Sequence, residues 1–149
     1  MAEGEEATQA QLSYELAVYR EQIAMIKRET ERVSLTTMDL GNALRTVESL
    51  SAEKVLIPIG GGAMIKGAVS QTKVLVPIGG EYLVEMEKDE AAGEMRRRIE
   101  ATRKAVEKLN DEFNRIAGRL REVSGQIQRM QVQTELNERV DDNIREDYI

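Results

Sequence analysis

Leu12, Leu16, Tyr19, Ile23, Ile26, Thr30, Val33, Thr37, Leu40, Leu44 and Val47 follow one another in strictly alternating steps of four and three. That spacing holds every one of them on a single narrow stripe of an α-helix, the seam by which two helices wind around each other. No proline interrupts the run and only Gly41 weakens it. At a rise of ~1.5 Å per residue such a helix is ~55–60 Å long. A second seam has the same rhythm: Met95, Ile99, Thr102, Val106, Leu109, Phe113, Ile116, Leu120, Val123, Ile127, Met130 and Thr134. Two seams in one chain need each other. If the segment between them turns back, the arms pair antiparallel, with Val47 against Met95, Leu40 against Thr102, Val33 against Leu109, Ile26 against Ile116, Tyr19 against Val123 and Leu12 against Met130. In this register the large Phe113 meets the small Thr30, as close packing prefers.

The segment between the seams has a different period. Lys54 to Ile59, Met64 to Val69, Lys73 to Ile78 and Tyr82 to Met86 are short β-rich runs separated by Gly60-Gly61-Gly62, by Ser70-Gln71-Thr72 and by Gly79-Gly80. They predict four strands in two hairpins. The hairpins are copies: Val55-Leu56-Ile57-Pro58-Ile59-Gly60-Gly61 returns as Val74-Leu75-Val76-Pro77-Ile78-Gly79-Gly80. Pro58 and Pro77 occupy equivalent places, and since neither can donate to a ladder they belong at strand ends, edges or bulges. Two isolated hairpins have open edges and cannot enclose a core. The apolar residues Val55, Ile57, Ile59, Val69, Val74, Val76, Ile78 and Val84 are therefore expected to form an oligomerisation surface.

The expected organisation is a disordered tail over 1–11, a coiled-coil arm over 12–51, the two hairpins over 54–87, a second arm over 90–134 and an acidic amphipathic tail over 135–149. The fold class is mainly α, with the hairpins inserted at the bend and joining an oligomeric platform. Leu136, Val140, Ile144 and Tyr148 recur every fourth residue beyond the point where the first seam runs out, and Val132 precedes them. With Tyr14 and Val18 of the first arm, which lie off the seam, they are the candidate partner-binding residues at the free tips of the arms.

Catalysis has little to work with here. The chain has no Cys and no His, so thiol nucleophiles, disulfides and the usual neutral-pH general base are absent. Gly62 to Gly67 has the opening spacing of a phosphate loop, but Lys66 precedes Gly67 and Ala68 stands where a metal-binding hydroxyl is required. Asp141, Asp142, Glu146 and Asp147 lack the spaced ligands and central glycine of a calcium loop. No cofactor, metal or enzymatic activity is expected. A net charge of −6 disfavours a broad nucleic-acid surface, and the run Arg96-Arg97-Arg98 reads as a solvated helix face. No apolar run is long enough for a membrane helix and no leader opens the chain, so a cytoplasmic protein is expected.

The arm, the two hairpins VLIPIGGGAMIKGAV and VLVPIGGEYLVEM, and the second arm together resemble an α-class prefoldin subunit of the archaeal type. The resemblance spans Leu12 to Thr134. It implies a hexamer of two α and four β subunits whose hairpins build a β-barrel platform from which the coiled coils extend. It also implies an ATP-independent holdase that captures non-native proteins at the coiled-coil tips and delivers them to a group II chaperonin. The alternative reading is a structural coiled-coil spacer or scaffold that binds no clients.

Overall fold

The computed structural model describes residues 2–51, 54–70 and 73–146, with the backbone alone at 2–6, 138 and 141–146. Two helices, α1 (Ala2–Glu48) and α2 (Lys88–Glu146), flank four strands: β1 (Lys54–Gly60), β2 (Ala63–Ala68), β3 (Val74–Gly79) and β4 (Tyr82–Met86). The strands pair antiparallel as β1-β2 and β3-β4, two separate two-stranded sheets. All four expected strands are present, each within a residue of its predicted bounds.

The helices are longer than the seams. α1 starts at Ala2 and leaves no irregular tail over 2–11 among the described residues. Sequence periodicity misses this stretch because it has no large apolar side chain before Leu12. Yet Ala2, Ala7 and Ala10 are strong helix formers, and Glu3, Glu5 and Glu6 suit the positive end of the helix dipole. α2 likewise runs through the expected tail to Glu146. Its start is favoured by Asp89 and Glu90 in the first turn and by the Ala91 amide bonding to the Glu87 carbonyl at 2.9 Å.

The chain divides into two units, Arg32–Val106 and the pair of segments 1–31 and 107–149. In the first, Val47, Val76, Ala91 and Ala92 form a buried cluster, with Leu44, Val74, Met86 and Met95 packed against it. The antiparallel pairing of α1 and α2 is visible in two cross-helix contacts of this unit. Glu48 pairs with Arg96, and the Thr37 and Thr102 hydroxyls lie 2.8 Å apart. Thr102 donates to the Ile99 carbonyl at 2.9 Å, so its oxygen is free to accept from Thr37. Polar seam residues are thus satisfied within the interface. The Lys88 ammonium donates to the Leu50 carbonyl at 2.9 Å, tying the start of α2 to the exit from α1.

In the second unit Ile116 and Val123 are buried, and Ile26 and Ile116 line one cleft with Tyr19 and Arg119. The Lys27 ammonium lies 5.7 Å from the centre of the Phe113 ring, so this ring sits at the turn of α1 that holds Thr30. Thr30 returns its hydroxyl to the Ile26 carbonyl at 2.8 Å. The Tyr19 hydroxyl donates to Glu15 at 2.7 Å, and this bond to a carboxylate is the main reason its pKa is raised.

Candidate assembly and client-binding surfaces

Each hairpin closes on two residues of positive φ, Gly61 and Gly62 in the first (58° and 80°) and Gly80 and Glu81 in the second (57° and 65°). This is the mirror-image turn whose twist suits paired strands. The triple glycine is thereby explained, since Gly60 also has φ of 107°, as does its counterpart Gly79 at 111°. Glu81 is the one described non-glycine residue held there. A bulge falls at Pro58/Gly60 in one hairpin and at Pro77/Gly79 in the other.

Although they repeat in sequence, the hairpins differ in burial. Directly paired residues share a face, so Val74, Val76 and Ile78 lie with Val84 and Met86, while Leu75 and Pro77 lie with Leu83 and Glu85. The first of these faces is turned onto the chain's own helices: Val76 is only 1% exposed. Its counterpart Ile57 is 44% exposed. Val76 and the half-buried Val74 therefore belong to the intramolecular core and leave the expected oligomerisation set. The repeat made them look equivalent to Ile57 and Val55, and only their position beside Val47 and the two alanines separates them. Ile57, Ile59, Ile78 and Val84 are exposed; Val55 and Val69 are half-buried. Gly67 is small for a local reason: a Cβ there would lie 2.8 Å from Ile57 Cδ1. Lys66 and Gly67 are thus strand residues, Gly67 beneath Ile57 and Lys66 on the opposite face beside Leu56.

Sequence reasoning missed the opposite faces. Leu56 and Leu75 are each 62% exposed, and Met64 and Leu83 are exposed beside them. The signal was available in the repeat itself, since both copies place a leucine one residue before the key Ile57 or Val76.

At the other candidate surface, Val132, Leu136 and Val140 are each about half exposed and Tyr14 is 74% exposed. Val18 is half-buried and does not join the open surface. Ile144 lies in α2 with its side chain outside the described set, and Tyr148 lies outside the described residues. Among the described side chains of the N-terminal extension of α1, 7–11, the apolar ones are Ala7 and Ala10, both exposed. Met25, Leu35 and Met38 are exposed as well. Leu35 and Met38 went unnoticed in the sequence although they stand off the seam.

The arginine run is committed to the chain itself. Arg96 pairs with Glu48, Arg97 bonds to Glu94 at 2.5 Å, and Arg98 bonds to the other Glu94 oxygen at 2.7 Å. Arg98 also donates to the Pro77 carbonyl at 2.7 Å. The Arg98 bond is the largest influence holding the Glu94 carboxyl below its ordinary range. No group of three or more potential metal ligands occurs among the described residues, and no described helix is long and apolar enough to cross a membrane.

A family profile described as Prefoldin subunit matches residues 19–133. Prefoldin subunit alpha of Methanococcus aeolicus is 39% identical over 54 residues, a match spanning 36% of this chain and 38% of that relative. Prefoldin subunit alpha 1 of Methanocaldococcus jannaschii is 25% identical over 121 residues, covering 78% of this chain and 85% of the relative. Among solved structures, filamentous PFD from Methanocaldococcus jannaschii aligns with a TM-score of 0.64 and 23% identity, over 75% of this chain and 97% of that one.

Proposed function

The chain belongs to the prefoldin family as an α-class subunit of archaeal type, with a chaperone-type role, and from that premise we propose that it is an ATP-independent holdase subunit. It assembles through its hairpins with β-class subunits, two α with four β, and works in the cytoplasm. Non-native proteins are held at the ends of the helices by Tyr14, Val132, Leu136 and Val140, with Ile144 and Tyr148 continuing the stripe, and are passed to a group II chaperonin.

The observation that carries this reading is the exposure of Val132, Leu136 and Val140, about half each, along one stretch of α2. Exposed apolar side chains on a well-formed helix cost solubility and persist where a partner uses them. Burying one of them on a client contributes roughly 1.5–3 kcal/mol at most, less when the contact is partial. Several such contacts give binding that is broad in sequence and readily released. The test is light scattering of a chemically denatured protein diluted into the assembled complex without ATP. The full chain should suppress aggregation, and deletion of 135–149, or Leu136→Ser with Val140→Ser, should weaken suppression while leaving the oligomer intact. Undiminished suppression by both variants would remove these residues from the binding surface, and no suppression by the intact complex would favour a structural spacer.

A further inference from the structure

Between the midpoints of α1 and α2 lies a cleft of about 570 Å³ that is separate from the stripe at the helix ends. Its floor is apolar: Ile116 is buried, and Ile26 and Tyr19 are half-buried. Met25, which stands off the seam, lines the cleft at 50% exposure. A thioether on a chain of rotatable bonds fits many apolar shapes, so it suits a contact that accepts different partners. The Tyr19 hydroxyl donates to Glu15 at 2.7 Å, which leaves the ring to serve the cleft as apolar surface. The charged lining is Glu112, Arg115 and Arg119. Arg115 bonds to Glu112 at 3.1 Å, so these two charges offset each other. Arg119 is held less closely. Its guanidinium lies 4.0 Å from Glu122, the outer limit of an ion pair, and the two side chains are 62% and 61% exposed. A pair of this kind is weak in water and exchanges readily for another carboxylate.

The helix end has the opposite electrostatic character. Residues 135–149 carry six acidic residues against Arg139 and Arg145, so an acidic stretch of polypeptide is repelled there. We propose that the cleft is a second client subsite, taking an apolar side chain of a non-native protein from a stretch flanked by carboxylates, which Arg119 binds in exchange for Glu122. The helix-end stripe then serves neutral and basic-flanked stretches. Leu136 lies twenty residues beyond Ile116 on α2, roughly 30 Å along the helix, a span that about nine extended residues cover. One unfolded chain can therefore occupy both subsites, and the second contact forms as an intramolecular event. This inference rests on the holdase reading proposed above and names a class of sequence that the arm accepts.

The test uses two fluorescein-labelled peptides with the same Leu-Phe-Leu centre, one flanked by aspartates and one by lysines. Their binding to the full chain, co-assembled with an archaeal β-class prefoldin subunit, is read by fluorescence anisotropy. Arg119→Glu should weaken binding of the aspartate-flanked peptide about 5- to 10-fold and should leave the lysine-flanked peptide bound no more weakly than before. Arg119→Gln should give a smaller loss in the same direction, and Met25→Ser should cost the aspartate-flanked peptide about 3-fold. Deletion of 135–149 should not reduce its affinity. A photo-activated cross-linker at position 25 should capture the same peptide. Circular dichroism of the variants checks that the helices are intact. Unchanged binding of the aspartate-flanked peptide by Arg119→Glu overturns the inference, as does an equal loss of both peptides. Cross-linking from position 25 to a partner subunit instead of the peptide also overturns it. An intact complex that binds neither peptide removes the holdase reading, and the inference with it; one that binds both alike in every variant keeps that reading and rejects the subsite.

Discussion

Val76 and Ile57 hold the same place in two copies of one sequence unit, and replacing each with alanine should have opposite consequences. Val76 is 1% exposed and packed with Val47, Ala91 and Ala92. Full burial of a valine stabilises by about 1.5–3 kcal/mol, and truncation also leaves a cavity that two alanine neighbours are too short to fill. Val76→Ala should therefore loosen β3-β4 from the helix ends by about 2–3 kcal/mol, which accelerates exchange of its slowest amides about 30- to 150-fold. Ile57 is 44% exposed and rests mainly on Gly67 and its own hairpin. Ile57→Ala should cost the isolated chain only about 1 kcal/mol, yet weaken the oligomer because that side chain still awaits its cover. Amide exchange on the isolated chain reads the first effect, and native mass spectrometry of the complex reads the second. Equal acceleration of the two hairpins in the isolated chain would refute the argument that one copy is anchored and the other open.

That contrast marks the limit of what the residues reveal unaided. The seams are legible because the three-four spacing has few other causes, and the hairpins because glycines punctuate β-branched runs at short intervals. Burial of Val76 rather than Ile57 is not legible, since it depends on which hairpin the ends of α1 and α2 meet. The pairing of Arg98 with Pro77 depends on the same placement. The helical start at Ala2 escapes a reading based on apolar periodicity, because alanine and glutamate favour helix without marking a face. Leu35 and Met38 stand off the seam just as Tyr14 and Val18 do, so their exposure is legible from the three-four spacing alone.

Three further outcomes follow from the same contacts. Phe113→Ala should destabilise the helix pair by about 2–3 kcal/mol in urea unfolding, below the range for a fully enclosed ring because this one is half-buried and faces the Lys27 ammonium; a change under about 0.5 kcal/mol would displace Phe113 from the seam. Cysteines at positions 30 and 113 should form a disulfide within one chain, and bonds formed only between chains would contradict antiparallel pairing. Glu94 is held below its ordinary pKa of 4.5 chiefly by Arg98, so its contribution is present above that value and is lost as pH falls through the lowered folded pKa. Exchange in β3-β4 should accordingly quicken on acidification below about 4.5 relative to β1-β2, after correction for intrinsic exchange, and Glu94→Gln should remove that pH dependence.

The claim that the helix ends capture non-native proteins is tested most directly by a photo-activated cross-linker placed at single positions of the assembled complex in the presence of a denatured client. Position 136 should cross-link strongly and position 104, among the charged outer residues of α2, should not. Equal cross-linking from both positions, or strong cross-linking from 104 alone, would contradict it.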